Sequence, residues 1–467
     1  MTDLNQEVKV VNIGLEGFSD ELRSLDVPVV QVQWQPPAGG DKRLIGALAR
    51  LSGRKYDRAN ELTVARMLRS RPIWVDVDSA GKVIPGMQPN HILHSGPPIS
   101  FEEMCDPQQR AVEGAAVFEG WVKNKAQLRK KLHSGELVLA PNYILNSVGP
   151  MCGVITPSMA VIETRNAAFR NRSWSTFNEG KGNVLWMGTY DDGTIERLKW
   201  MATVLGPGLK EALKHSKGGI DLFGILSEGT QMGDEAHARS AACSSLLLQR
   251  LYPLLLKTSL DKKTILEIVE FIISNNHFFL NLTLTACKVT ADAAHGVKNS
   301  TIVTGMSRNG VDFALRVGGA ADKWFISGTA PMDEAIYYSG YSLEDAAGDI
   351  GDSAIIETVG LGGMVIGAAP TISSFVGGTM KDSLQAMKSM KSICQGVNPK
   401  FAPAAVDFMS APVGIDIRKV IKTGVTPIID TGVIHKSSGI GQIGAGIARA
   451  PMGVFVKALN YMEKNSE

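Results

Sequence analysis

"SSGIGQIGAGIARAP", Ser437 to Pro451, decides how this chain is read, because Gly439, Gly441 and Gly444 stand at the spacing of a dinucleotide fingerprint, after a strand and before a helix. That fingerprint turns a pyrophosphate against a helix N-terminus and needs an acidic residue about 20 positions on, past a second strand. Only Gly439 to Glu467 is available for it, and the segment after Pro451 reads as one helix with Phe455, Ala458, Leu459 and Met462 on a single face. With no second strand left, nicotinamide chemistry is set aside and no cofactor is expected. Gly439, Gly441, Gly444 and Gly446 are read instead as a loop whose N–H groups converge on a phosphate-like anion, with Lys436 adding a point charge.

The whole chain bounds the rest. At 467 residues it exceeds what one core usually holds, so several domains are expected. Charged residues make up 20% and the net charge is +2, which gives no basic excess for nucleic acid and favours small ligands. The start, "MTDLNQEVKVVNIG", lacks the basic and apolar segments of a signal peptide, and no apolar run is long enough to span a membrane, so a cytoplasmic protein is expected. The five cysteines are widely spaced and read as reduced, mostly buried thiols, with no metal site implied.

The fold class read from the pattern is multi-domain α/β. Residues 1–193 open as strand "KVVNIGL", helix "FSDELRSL" and strand "VPVVQVQW", a Rossmann-like unit to which "PIWVDV" at 72–77 offers a third strand. Residues 194–294 read as a helical subdomain, with apolar residues three and four apart and few breakers besides Pro207 and Pro253. Residues 295–467 read as a glycine-rich α/β domain, with Asn309-Gly310 as the turn of a hairpin over 301–318.

Four clusters carry possible chemistry. "QMGDEAHARS" places Asp234, Glu235, His237 and Arg239 near the start of a long helix. Helix-start capping explains the two acids; it leaves His237 as a proton-transfer candidate and Arg239 as an anion contact. "SRNGVDF" holds Arg308 and Asn309, either polar flanks of a turn or, with Arg316, a fork for an anionic substrate. Asp352 reads as the cap of "SAIIETV" more than as a magnesium ligand, and His91 with His94 as turn histidines. Near the C-terminus "IIDTGVIHKSSGIGQIGAG" joins a strand to Asp430, Thr431, His435, Lys436 and the glycines, at a strand end where α/β folds place ligands.

Taken together, "QVQWQPPAGGD", "LHSGPPI", "VGPMCGVITPSM", "NEGKGNVL", "MGDEAHARS", "SRNGVDF", "DIGDSAIIETVGLGG" and "IGQIGAG" resemble the AllG/YlbE/YahG-like family, over about Asn12 to Pro451. The resemblance implies an oligomeric complex with an FdrA-like subunit and a third subunit. In it a carbamoyl group moves between phosphate, as carbamoyl phosphate, and an amide or ureido nitrogen of the oxamate/oxalurate type, in allantoin-type purine breakdown. Residue chemistry then casts His237, His435 and Arg308 as catalytic, and Arg239, Asn309, Lys436 and the four glycines as phosphate contacts. The rival expectation is a non-catalytic scaffold whose partner holds the active site.

Overall fold

Two short β-rich segments at the N-terminus pair as the alternation requires. In the computed structural model, which describes residues 9–32, 36–375 and 378–466, strands Val10–Ile13 and Val29–Val32 run parallel with helix Glu16–Ser24 between them. Residues 1–8 and 33–35, which carry the expected leader-free start and the end of the second strand, lie outside the described residues. The third strand corrects the expectation: Pro72–Ser79 forms, but it pairs antiparallel with Ala160–Asn166 and with Ile220–Asp221 in a different sheet. The Rossmann-like unit therefore stops at two strands.

The helical stretch packs onto that second sheet. Helices Asp192–Trp200, Gly206–Lys214, Leu222–Gln231, Ala241–Leu255, Lys262–Ser274 and Leu280–Ala294 follow one another, with Pro207 at the start of its helix after a π-helical turn, where a missing N–H is tolerated. Pro253 lies inside Ala241–Leu255. Helix Leu280–Ala294 lies across the sheet through polar contacts: Thr285 Oγ1 meets Thr164 Oγ1 at 2.7 Å, Ser173 Oγ donates to Thr285 O and Asn281 Nδ2 donates to Thr176 O. Sheet and helices bury one apolar core that includes Trp74, Ile162, Phe177, Leu247 and Phe278.

The last third is built from antiparallel sheets. Val303–Asn309 and Asp312–Val317 form the hairpin signalled by Asn309-Gly310, and Trp324–Gly328 extends it. Gly310 has φ +83°, which the turn needs. A second sheet orders Glu334–Tyr337, Gln442–Arg449 and Ile428–Ile434. Helix Met452–Lys464 buries Val454, Phe455, Ala458, Leu459 and Met462 on the face read from the sequence.

Here the opening stretch is corrected. Its glycines do not lead from a strand to a helix; they lead from strand Ile428–Ile434 into strand Gln442–Arg449. Gly444 and Gly446 are strand residues, opposite Val433 and Thr431 on one side and Tyr337 and Ala335 on the other. A Cβ at Gly444 would stand 2.4 Å from Ile336 O, and one at Gly446 2.7 Å from Ala335 Cα. They are glycines because two strands approach closely, and they form no anion loop.

Asp352 is also reassigned. It caps no helix: its carboxylate accepts from Gly96 N, Gly149 N, Asn142 Nδ2 and Ser307 Oγ. One buried acid so fastens the loops at 96, 142 and 149 to the hairpin strand, which fixes the first third of the chain against the last.

Candidate functional site

The loop Met232–Ser240 turns between helices Leu222–Gln231 and Ala241–Leu255, and its two acids hold its shape. Asp234 Oδ2 accepts from Cys243 N at 2.8 Å, serving the first turn of the following helix from outside. Glu235 accepts from the N–H groups of His237 and Arg239, and its carbonyl from Gly362 N. Asp234 Oδ1 also pairs with Arg239 Nε at 3.2 Å, which fixes the guanidinium where it and His237 both line a cavity.

His237 is fixed by a second acid. Its Nδ1 lies 2.7 Å from Glu357 Oε1, which also accepts from Gly363 N and Asp430 N. An imidazole that donates Nδ1–H to a buried carboxylate keeps Nε2 as its basic nitrogen, the arrangement of an oriented general base. Gly362 has φ +58°, and a Cβ there would stand 2.2 Å from Glu357 Oε1. The "GLGG" run therefore exists so that the backbone can close on this carboxylate.

The cavity measures about 660 Å³ and lies between the helical region and the Ile428–Ile434/Gln442–Arg449 hairpin. Lys181, Trp186, His237, Arg239, His277 and Asp430 are its polar wall. Several of these groups have no hydrogen-bond partner among the described residues: Trp186 Nε1, His277 Nδ1 and both oxygens of Asp430. Buried polar atoms are normally satisfied, so orphans gathered on one cavity mark a place for a polar ligand.

Electrostatics divide the wall in two. His277 is pushed down to about 4 by burial, helped by the nearby positive groups Lys181, His237 and Arg239, so it is a neutral ring beside cations. On the other side burial, reinforced by Glu235 and Glu357, pushes the Asp430 carboxyl well above the usual carboxylate range. Burial also raises Glu235 to about 8, with Asp234 and Glu357 adding to the effect. The cavity thus holds the cations Lys181 and Arg239 together with an Asp430 carboxyl that burial pushes towards its protonated form.

The residues singled out in the sequence scatter. His237, Arg239 and Gly441 line the cavity; the others do not. Arg308 is fully buried and its fork is filled: Nε and Nη2 donate to Asp349 at 2.8 Å each, and Nη1 donates to Gly351 O. It holds the hairpin to its neighbouring loop and offers no donor to a substrate. Asn309 Oδ1 accepts from Val311 N and Asp312 N, so it makes the turn. Arg316 is engaged by Asp292 and Thr304 O.

The expected phosphate turn is occupied from within the chain. Ser437 N donates to His435 Nδ1, Ser438 N to Asp106 Oδ2 at 2.7 Å and Gly439 N to Gly188 O. Lys436 Nζ donates to Glu344 O. The anion that this turn binds is the Asp106 carboxylate. Lys181, Trp186 and His277 were not legible as site residues, and Asp430 was legible only as a member of the strand-end cluster, with no role of its own. Lys181 had a signal, since a lysine between Gly180 and Gly182, both at positive φ, is the same lysine-and-glycine pattern as the turn at Lys436 to Gly441.

The fold and cavity define a mixed α/β protein with a histidine–carboxylate pair on a ligand pocket. Comparison narrows this. The sequence profile of the oxamate carbamoyltransferase subunit AllG matches residues 137–353. Oxamate carbamoyltransferase subunit AllG of Escherichia coli (strain K12) is 40% identical over 412 residues, 87% of this chain and 98% of that protein. The uncharacterized protein YahG of the same organism is 38% identical over 461 residues, 97% of each chain. A crystal structure of a conserved protein of unknown function from Enterococcus faecalis V583 superposes with a TM-score of 0.84 at 42% identity, covering 87% of this chain and 97% of that one. The chain belongs to the AllG/YahG-like family, which includes a subunit of a carbamoyltransferase. Among the described residues no helix is long and apolar enough to cross a membrane.

Proposed function

We propose that this chain is the substrate-holding subunit of a cytoplasmic carbamoyltransferase acting on oxamate/oxalurate-type compounds in purine or allantoin nitrogen catabolism, with an FdrA-like subunit and a third subunit as partners. The observation that carries the reading is the His237–Glu357 pair at 2.7 Å on a cavity shared with Lys181 and Arg239. In the direction that makes carbamoyl phosphate, a phosphate oxygen attacks the carbamoyl carbon of the ureido compound. The tetrahedral oxyanion collapses, the C–N bond breaks and the nitrogen leaves with a proton as the amide. His237 Nε2 takes the proton from the attacking phosphate and returns it to the leaving nitrogen, while Glu357 stabilises the imidazolium between the two transfers. Lys181 and Arg239 hold the anionic ends.

The test is to purify the chain alone and with the products of its neighbouring genes, then follow phosphate release from carbamoyl phosphate with oxamate and other amide acceptors. His237→Ala is expected to lower turnover per folded complex about a hundredfold or more, and also to lower the melting temperature because Glu357 loses a buried partner. Wild-type turnover by that variant would make this chain the scaffold and put the chemistry in a partner. No activity in any combination would overturn the carbamoyl-transfer reading itself.

A further inference from the structure

The proposed mechanism uses the cations and the imidazole but leaves the floor of the cavity idle. Asp430 is fully buried, lines the cavity, and neither of its carboxyl oxygens has a partner among the described residues. It is also held in place: its strand is paired on Gln442–Arg449, and its own N–H donates to Glu357 Oε1 at 3.2 Å. That same oxygen holds His237, so the acid and the imidazole are set on one wall by one atom. Among the described residues nothing uses the Asp430 side chain, and leaving such a buried group unsatisfied is destabilising. A bound group that satisfies it recovers that cost.

We infer that Asp430 is the specificity residue of the cavity, pairing its carboxyl group, as one donor and one acceptor, with the H₂N–C=O end of a ligand whose other end is anionic. The inference rests on the carbamoyl-transfer reading and adds a residue and a selection rule to it. The pairing is two-point: O–H donates to the ligand carbonyl, and the other oxygen accepts from the ligand N–H. Burial, with Glu235 and Glu357 nearby, favours the protonated carboxyl that this pairing needs. The same cavity carries Lys181 and Arg239, the neutral His277 and the indole N–H of Trp186. A ligand carrying carboxylate or phosphate at one end and a primary amide or carbamoyl at the other matches this polarity along its length. A ligand with a carboxylate at both ends does not, because its second carboxylate has no N–H to give the accepting oxygen of Asp430.

Oxamate and oxalate separate these cases, being nearly isosteric and differing by an amide for a carboxylate. Their affinities are measured by calorimetry on the full chain, alone and co-purified with its partners, for the wild type, Asp430→Ala and Asp430→Asn. Wild type is expected to prefer oxamate by about tenfold or more, the worth of one satisfied buried pair. Asp430→Ala is expected to lose that preference, and Asp430→Asn to keep most of it, because an amide is also one donor and one acceptor toward an amide. Equal affinity of the wild type for the two ligands, an unchanged preference in Asp430→Ala, or a preference lost equally in Asp430→Asn overturns the inference while leaving carbamoyl transfer standing. Failure of the wild type to bind either ligand or carbamoyl phosphate, alone or assembled, overturns both.

Discussion

The chain has two glycine-rich turns that carry a lysine, Asn178–Asn183 and His435–Gly441, and they do opposite work. In the first, Asn178 Oδ1 accepts from Gly180 N and from Asn275 Nδ2, and Glu179 Oε2 accepts from Leu185 N, so the polar side chains brace the turn from behind while Lys181 stands at the mouth of the cavity. In the second the N–H groups of Ser437, Ser438 and Gly439 are consumed by the protein, and Lys436 is spent on a backbone carbonyl. Glycine density and a nearby cation are common to both. What separates them is where the donors already go, which depends on residues such as Asp106 and Asn275 that are remote in sequence.

The largest expected effect breaks the comparison at the backbone. Gly444→Ala puts a Cβ 2.4 Å from Ile336 O, between paired strands that cannot part without breaking the sheet, and is expected to cost about 3 kcal/mol. Gly182→Ala meets nothing within 4 Å and bears only its φ of +85°, a cost of about 1 kcal/mol. Urea denaturation of the two variants measures the difference. Equal losses would mean that Gly444 is not a close-packing glycine.

The acids behind the two turns give opposite pH responses. Burial, the leading cause, raises Glu179 from its usual 4.5 to about 7. A raised folded value means that the folded protein holds a proton the unfolded chain has released, so its contribution is full below about 4.5 and is lost as pH climbs through about 7, roughly 3 kcal/mol in all. Asp106 goes the other way: burial pushes it up, but the hydrogen bonds from Ser438 and the charge of Lys125 outweigh this and leave it lowered. Its contribution is present above its ordinary value and is lost as pH falls. Glu179→Gln is expected to flatten the fall of stability between pH 4.5 and 7, and Asp106→Asn to leave that limb unchanged, both read from denaturation midpoints across pH.

Local signals explain what was legible. The Asn309-Gly310 hairpin, the buried face of Met452–Lys464 and the parallel opening pair each rest on contacts within a few residues or on one periodicity. His237 stood out because an imidazole among small helix-start residues has no local use. Asp430 falls in the C-terminal strand-end cluster but takes no role there, since its exceptional feature is an absence of partners in three dimensions among the described residues. Arg308 misled for the converse reason: its fork has a carboxylate, but the carboxylate is Asp349, forty-one residues away in the same chain. Motif reading finds groups able to bind an anion and cannot see which ones the fold has already satisfied.

The smallest effect decides which turn serves a ligand. Lys181 lines the cavity and adds to the burial that depresses His277 beside it, whereas Lys436 donates to Glu344 O outside the cavity. Removing a point charge from a ligand's anionic end costs about 1.4 kcal/mol, or tenfold in affinity, when the contact is partly exposed. Lys181→Ala is therefore expected to weaken carbamoyl phosphate and oxamate binding about tenfold at unchanged stability, and Lys436→Ala to leave both affinities within about twofold. Because exposed charge contacts are screened by salt, the gap between the two variants should narrow as ionic strength rises, which calorimetry at low and high salt measures. If Lys436→Ala lost the affinity and Lys181→Ala did not, the ligand would sit against the C-terminal turn, and the assignment of the two glycine turns would have to be exchanged.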